Sequence, residues 1–312
     1  MKEVKKGSGG GLLIMLAIVI GFYAAKGGVS NDDEAEMAEE EALYRMNGGS
    51  SSQIEDEETN KAMDGLYDSS VNSTSALEVP LGNDHGMLIS HEGYQLSYDT
   101  INHNPFWVAW QLTANESRGR VGRAEEFLED PDIPARHSVR PYAYSNSGYT
   151  RGHMCPAGDQ KWSQTAMNEC FYMTNMCPQT AELNRYWWDW LERAERQWAK
   201  EEGSVYIACG PIYDKGKRVK PLKQNKFFVG IPDRFFKVIL STRKGHEKAI
   251  GFIYLNDESK QRLEDCVYDV DDIERITGYD FFSPLEDQLE GRLEASADLS
   301  DWGNVPMPNW EN

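Results

Sequence analysis

TRGHMCPAGDQKW, Thr150 to Trp162, and FYMTNMCPQTAELNRYWWDWLE, Phe171 to Glu192, form the stretch on which the reading of this chain turns. The first piece holds a single histidine, His153, in a loop-like setting of Arg151, Gly152 and Pro156. The second sets Asn175, Asn184 and Glu192 at fixed intervals. From Gln179 to Lys200 the chain is rich in Ala, Glu, Leu, Arg and Trp and has no Gly or Pro. That composition predicts a helix of about five or six turns entered through Pro178. On such a helix Asn184 and Glu192 lie roughly 12 Å apart along the axis and about 80° apart around it, so one metal ion cannot touch both. Side chains lean toward the helix N-terminus, so Glu192 can reach back to a water on a metal held by the Asn184 amide oxygen. Helix geometry alone leaves Glu195 open as well, since it sits only about 20° from Asn184 in azimuth.

A histidine beside a hard-cation site suits phosphodiester hydrolysis. That reaction needs an activated water, a counter-charge for five-coordinate phosphorus and stabilisation of the leaving oxygen. Imidazole, with an ordinary pKa near ~6.5, serves the first need. Mg²⁺ serves the other two and keeps most of its waters, so one or two protein oxygens suffice to hold it.

The same residues carry a resemblance. Thr150-Arg151-Gly152-His153, then Asn175-Met176-Cys177-Pro178-Gln179, then the run from Gln179 through Asn184, Trp188 and Leu191 to Glu192 are similar, in order, to the motif of the DNA/RNA non-specific endonucleases, the ββα-metal nucleases. Only the leading Asp of that family's Asp-Arg-Gly-His is missing, with Thr150 in its place. Several ordered pieces at matching gaps are more specific than one short motif. The resemblance spans roughly Ser97 to Ser283.

It implies a metal-dependent, sequence-non-specific endonuclease for DNA and RNA, leaving 5′-phosphate and 3′-hydroxyl ends. His153 would be the general base and Asn184 the one direct ligand of Mg²⁺, with Mn²⁺ or another divalent cation as a substitute. Glu192, rather than Glu195, would act through water. Arg123, Phe127 and Asp130-Pro131 match the family segment whose arginine contacts the scissile phosphate, which gives that role to Arg123 and leaves Arg118 and Arg120 as near rivals. A planar guanidinium can bind two phosphate oxygens at once. Arg151, beside the histidine, either binds phosphate or braces its loop. Asn175 is expected to support the active site by fixing the loop that faces the histidine, and Asp159 to be structural. Some members of the family are dimers, so a homodimer is one arrangement open to this chain.

The ends read differently. Residues 1–28 open with Lys2, Lys5 and Lys6 and then an apolar run from Leu12 to Ala25. This is the pattern of a signal peptide or a short membrane anchor, which would export the remainder, either membrane-anchored outside the cytoplasm or, if cleaved, secreted or periplasmic. Residues 29–78 read as an acidic disordered tether: from Asn31 to Asn60 there are eleven Asp or Glu against one Arg, with too little apolar surface to offset chain entropy. Residues 79–284 hold the nuclease motif and 285–312 form a second acidic segment, read as a tail.

The net charge of −19 opposes nucleic-acid binding until it is divided. Between Asn115 and Ile250 there are 22 Lys or Arg against 17 Asp or Glu, a balance of +5. Clustered Lys and Arg give sequence-independent phosphate binding, and Lys217 and Arg218 join Arg118 and Arg120 as candidate substrate contacts. Apolar and aromatic runs at His91–Thr100, Asn104–Thr113, Gly203–Asp214, Phe227–Thr242 and Lys248–Asn256 predict strands. The fold class is therefore α+β, an antiparallel sheet core with packed helices and a ββα-metal active-site unit.

Five cysteines without C-x-x-C spacing argue against a zinc ribbon. Cys155 and Cys177 are candidates to pair in an oxidising compartment, whereas Cys209 fits an apolar strand as a small buried side chain. Two other functions compete with the nuclease reading. One is a non-catalytic nucleic-acid-binding or envelope interaction module on a nuclease fold, favoured by Thr150 and the acidic tether. The other is a phosphoesterase acting on small nucleotides or lipids, which product ends and chain-length preference would separate.

Overall fold

The computed structural model describes residues 77–82, 84–222, 228–303, 305–308 and 310. The expected leader or anchor over 1–28 and the acidic segment up to residue 76 lie outside them. Among the described residues no helix is long and apolar enough to cross a membrane.

The chain enters β1 (Met87–Ser90), β2 (Gln95–Asp99) and β3 (Asn104–Thr113). β4 (Thr150–His153) and β5 (Met176–Gln179) follow, with helix α1 (Gln164–Glu169) between them. Next come α2 (Trp188–Glu202), β6 (Ser204–Ile212), the short pair β7 (Lys220–Pro221) and β8 (Gly230–Ile231), and the long β9 (Arg234–Ser241) and β10 (Lys248–Leu255). β11 (Val267–Tyr268), α3 (Val270–Thr277) and α4 (Asp287–Glu294) complete the order. Seven strands pair antiparallel in the order β1-β2-β3-β6-β9-β10-β11, while β4-β5 and β7-β8 are separate two-stranded pairs. The architecture is the α+β class expected, with the β4-β5 pair and α2 forming the ββα unit.

Both faces of the sheet are covered, and β9 shows how. Phe235 and Ile239 join the core that contains α2, whereas Phe236, Val238 and Leu240 join the core that contains α3 and α4. Successive side chains on a strand point to opposite faces, so a continuous apolar run is what two-sided burial demands. α2 is held on its side by Trp188, Leu191, Ala194 and Trp198, all fully buried. Each large apolar side chain so placed contributes roughly 1.5–3 kcal/mol.

Two local expectations need correction. The Thr150–His153 segment is a strand rather than a loop, because it pairs with β5. That pairing also takes up Pro178 and Gln179, so the helix starts later than the composition predicts. Helical turns begin at residue 181, after Thr180, whose hydroxyl accepts from Leu183 N at 3.3 Å and so satisfies one of the free N–H groups of the first turn. Leu183–Trp187 is a π turn running directly into α2. The helix stops at Gly203, which adopts φ of 92°, a conformation that favours glycine.

From residue 285 onward the described chain carries α4 and then packs on α2. Trp302 is buried against Trp198, with ring centroids 5.0 Å apart. The Trp190 indole N–H donates to Val305 O at 3.3 Å, and Trp310 stands edge-on to Trp187 at 5.2 Å. All five cysteines are free and buried; Cys155 Sγ accepts from the Gln160 amide at 3.0 Å instead of bonding to Cys177.

Candidate active site

The register of β4 against β5 sets Thr150 opposite Gln179 and His153 opposite Met176. The strands are close at Gly152, where a Cβ would stand 2.1 Å from Gln179 Oε1. A glycine is needed there to make room for the glutamine side chain. α2 grips the same strand, since the Trp188 indole N–H donates to His153 O at 3.2 Å. Asn175 faces backbone with both ends of its amide: Oδ1 accepts from Cys155 N (2.9 Å), and Nδ2 donates to Cys155 O (2.9 Å) and Cys170 O (2.8 Å). Its side chain thereby ties the turn after β4 to the segment before β5.

His153 is 8 % exposed and sits on two aromatic rings. Phe171 meets it edge-on at 4.8 Å and Phe127 tilts against it at 5.6 Å. The two phenylalanines also touch each other, at 5.0 Å. The Arg123 guanidinium lies 4.8 Å over Phe171 and that of Arg151 lies 4.2 Å over Phe127, close enough for cation–π attraction. Arg151 also donates to Pro141 O at 3.1 Å. Burial, then the charges of Arg123 and Arg151, hold the imidazole of His153 down to a pKa of about 3, so it is neutral at physiological pH. Its Nε2 is buried and has no hydrogen-bond partner among the described residues, whereas buried polar atoms are normally paired.

The π turn changes the geometry of the helix residues. It takes in one residue more than an α turn, so the eight residues from Asn184 to Glu192 advance like about seven, roughly two full turns. Both side chains then fall near one face, closer than the ideal-helix figure. Asn184 Nδ2 donates to Thr150 Oγ1 at 2.8 Å, and its Oδ1 carries no hydrogen bond among the described residues. Glu192 is half-buried, and burial pushes its carboxyl up to about 7 against the pull of Lys237 and Arg196. Glu195 is elsewhere: it is fully buried, with Oε2 2.6 Å from Lys237 Nζ. Lys237 is thus the partner of Glu195, while Glu192 has no hydrogen-bond or salt-bridge partner among the described residues. Asp159, also fully buried, receives Arg196 Nη1 (2.9 Å) and the Trp110 indole N–H (3.0 Å).

A neutral amide oxygen, free of protein partners, and an under-compensated carboxylate are hard oxygen donors that fit a hydrated divalent cation. Two other groups place three potential ligand atoms within 4.8 Å of one another. In the first, Asp130 Oδ2 already meets His91 Nε2 (3.0 Å) and the Thr174 hydroxyl (2.5 Å), and Oδ1 accepts from Asp132 N (2.9 Å). Asp130 is thus a pin between the β1–β2 turn and β5's approach, which accounts for the Asp-Pro of the arginine segment. The second, Asp271, Glu274 and Glu294, lies on α3 and α4, where burial and then neighbouring carboxylates push Glu294 up to about 9.

The structure brings Arg123, Arg151 and His153 onto one pair of rings. Arg118 ends a short 3-10 turn, Glu116–Arg118, and Arg120 follows it; both are exposed. Lys217 is exposed and pairs with Asp214 at 2.6 Å, and Arg218 beside it is exposed as well. Phe171 was missed by residue-type reasoning, and Phe127, matched only as part of the arginine segment, was given no role of its own, because phenylalanines in separate segments look like ordinary core.

The sequence profile of the DNA/RNA non-specific endonuclease family, a family of divalent-metal nucleases, matches residues 72–288. The mitochondrial Nuclease 1 of Schizosaccharomyces pombe is 32% identical over 239 residues, covering 72% of this chain and 74% of that protein. Nuclease C1 of Cunninghamella echinulata var. echinulata is 33% identical, covering 67% of this chain and 87% of the relative. Human mitochondrial endonuclease G is 34% identical, covering 61% and 68%. A crystal structure of the EndoG/EndoGI complex superposes with a TM-score of 0.61 at 30% identity, over 67% of this chain and 89% of the other.

Proposed function

The chain belongs to the DNA/RNA non-specific endonuclease family, and from that premise we propose how it cuts: His153 is the general base and Asn184, with Glu192 through water, holds one Mg²⁺. The observation that carries the first half is the buried, unpartnered Nε2 of a histidine kept neutral by burial and two arginines. A neutral imidazole is the form that can take a proton from water. The second half is supported by the free Oδ1 of Asn184 and the raised carboxyl of Glu192.

Arg123 and Arg151 hold their guanidinium groups on the ring pair that flanks His153, so a phosphodiester drawn between them lies beside the base. Its negative charge offsets the two cations that depress the imidazole, and the basicity of His153 rises when substrate is present. His153 then accepts the proton of the attacking water. When bound, the cation supplies a counter-charge for phosphorus and stabilises the departing 3′ oxygen. Arg118, Arg120, Lys217 and Arg218 extend phosphate contacts along the strand, without reading bases. The N-terminal lysines and apolar run support a chain sent to or across a membrane, and the relatives named above include mitochondrial nucleases.

The test compares the full chain with His153→Ala on supercoiled plasmid, linear DNA and RNA, in Mg²⁺ or EDTA. Magnesium-dependent loss of all three substrates, reduced on the order of 10²–10⁴-fold in the variant, is expected. Near wild-type cleavage by His153→Ala removes the base from this residue. Salt-sensitive binding with intact substrate under every divalent metal leaves a binding module instead.

A further inference from the structure

Thr150 stands where the family motif carries aspartate, and its hydrogen bonds are fully determined. Oγ1 lies 3.0 Å from Gln179 O and 2.8 Å from Asn184 Nδ2. A hydroxyl has one proton, and a carbonyl oxygen can only accept. The proton therefore goes to Gln179 O, and Thr150 turns a lone pair toward Asn184. Only the NH₂ end of an amide can meet a lone pair. Oδ1 must then point the other way, free of protein partners among the described residues. The two ends of an asparagine amide have nearly the same shape, so packing alone would not choose between them.

The threonine is itself held. It lies in β4 directly opposite Gln179, and β-branching restricts its χ1. An aspartate in its place would also accept from Nδ2, but would set a negative oxygen against the Gln179 carbonyl. Threonine gives the orientation without that repulsion and without adding a charge.

We propose that Thr150 is the positioning residue for Asn184: its hydroxyl engages Nδ2 and thereby presents Oδ1 as the donor to the divalent cation. This rests on the reading of Asn184 as the metal ligand.

The experiment measures Mn²⁺ uptake by the full chain, by calorimetry and by loss of the free-ion resonance signal. Wild type is set beside Thr150→Ser, Thr150→Val, Thr150→Ala and Asn184→Ala, with urea midpoints and DNA binding in EDTA as checks on the fold. Thr150→Val and Thr150→Ala should bind Mn²⁺ roughly three- to tenfold more weakly, the ratio that one net hydrogen bond is worth. Thr150→Ser, which keeps the hydroxyl, should stay within about twofold of wild type by the same reasoning. Wild-type affinity in a folded Thr150→Val or Thr150→Ala, with loss in Asn184→Ala, overturns the positioning role alone. A Thr150→Ser that falls as far as Thr150→Val also overturns it, since the methyl group would then matter more than the hydroxyl. Unchanged binding in Asn184→Ala, or no uptake by wild type, overturns the metal assignment itself.

Discussion

Two glutamates three residues apart on α2 have opposite fates. Glu195 is sealed in the core, salt-bridged to Lys237, whose ammonium also lies 4.8 Å from the Trp188 ring and 5.3 Å from that of Trp110. Glu192 is half-buried on the flank of the same helix and has no hydrogen-bond partner among the described residues. For Glu195 the counter-charge is built into the protein. Glu192 feels Lys237 and Arg196 only through space, and burial still holds its carboxyl above the ordinary range.

That contrast breaks most visibly at Lys237. Lys237→Met keeps much of the volume and removes the charge, leaving Glu195 buried alone. The expected loss is about 3–5 kcal/mol of stability, read from urea denaturation; a loss under 1 kcal/mol would mean that the pair is no more than packing. Glu192→Gln should do the reverse. Activity is expected to fall roughly 10–100-fold, as for groups that act on a metal through its waters, while the fold holds. Its pH signature sharpens the contrast. The folded-state pKa of Glu192, about 7, lies above the ordinary 4.5, so between these values the native state binds more proton than the unfolded one. Its contribution to stability is full below about 4.5 and is lost as pH rises through about 7. In EDTA, Glu192→Gln should flatten that decline; an unchanged slope would assign it to other groups. The smallest effect belongs to Trp188, which packs over Lys237 and also holds His153 O. Trp188→Phe loses one hydrogen bond, about 1 kcal/mol, and a melt that does not move would show the 3.2 Å contact to be incidental.

The candidate site residues were more legible in the sequence than their surroundings. His153, Asn184 and Glu192 lie within one stretch and carry unusual chemistry, so residue type and spacing single them out. Strands β3, β6, β9 and β10 were legible from apolar and β-branched runs. The π turn was not, because Leu183–Trp187 consists of residues that suit an α-helix equally well. Lys237 was hidden for a related reason: one lysine in an apolar strand reads as a solvated interruption until α2 supplies its glutamate from 42 positions away in sequence. Arg123 was singled out from Arg118 and Arg120 by its segment resemblance alone, and its place over Phe171 is a contact between segments that no local pattern records. The aspartate of the arginine segment, Asp130, is explained by His91 and Thr174, both remote from it in the chain.

The five cysteines carry a consequence of another kind. Burial pushes the thiols of Cys155, Cys177 and Cys209 up, and those of Cys170 and Cys266 up to about 12. Thiolate is the reactive form toward oxidants and other thiols, and at neutral pH these groups hold almost none of it. The five buried thiols of the nuclease core are therefore poor partners for disulfide exchange and slow targets for oxidants.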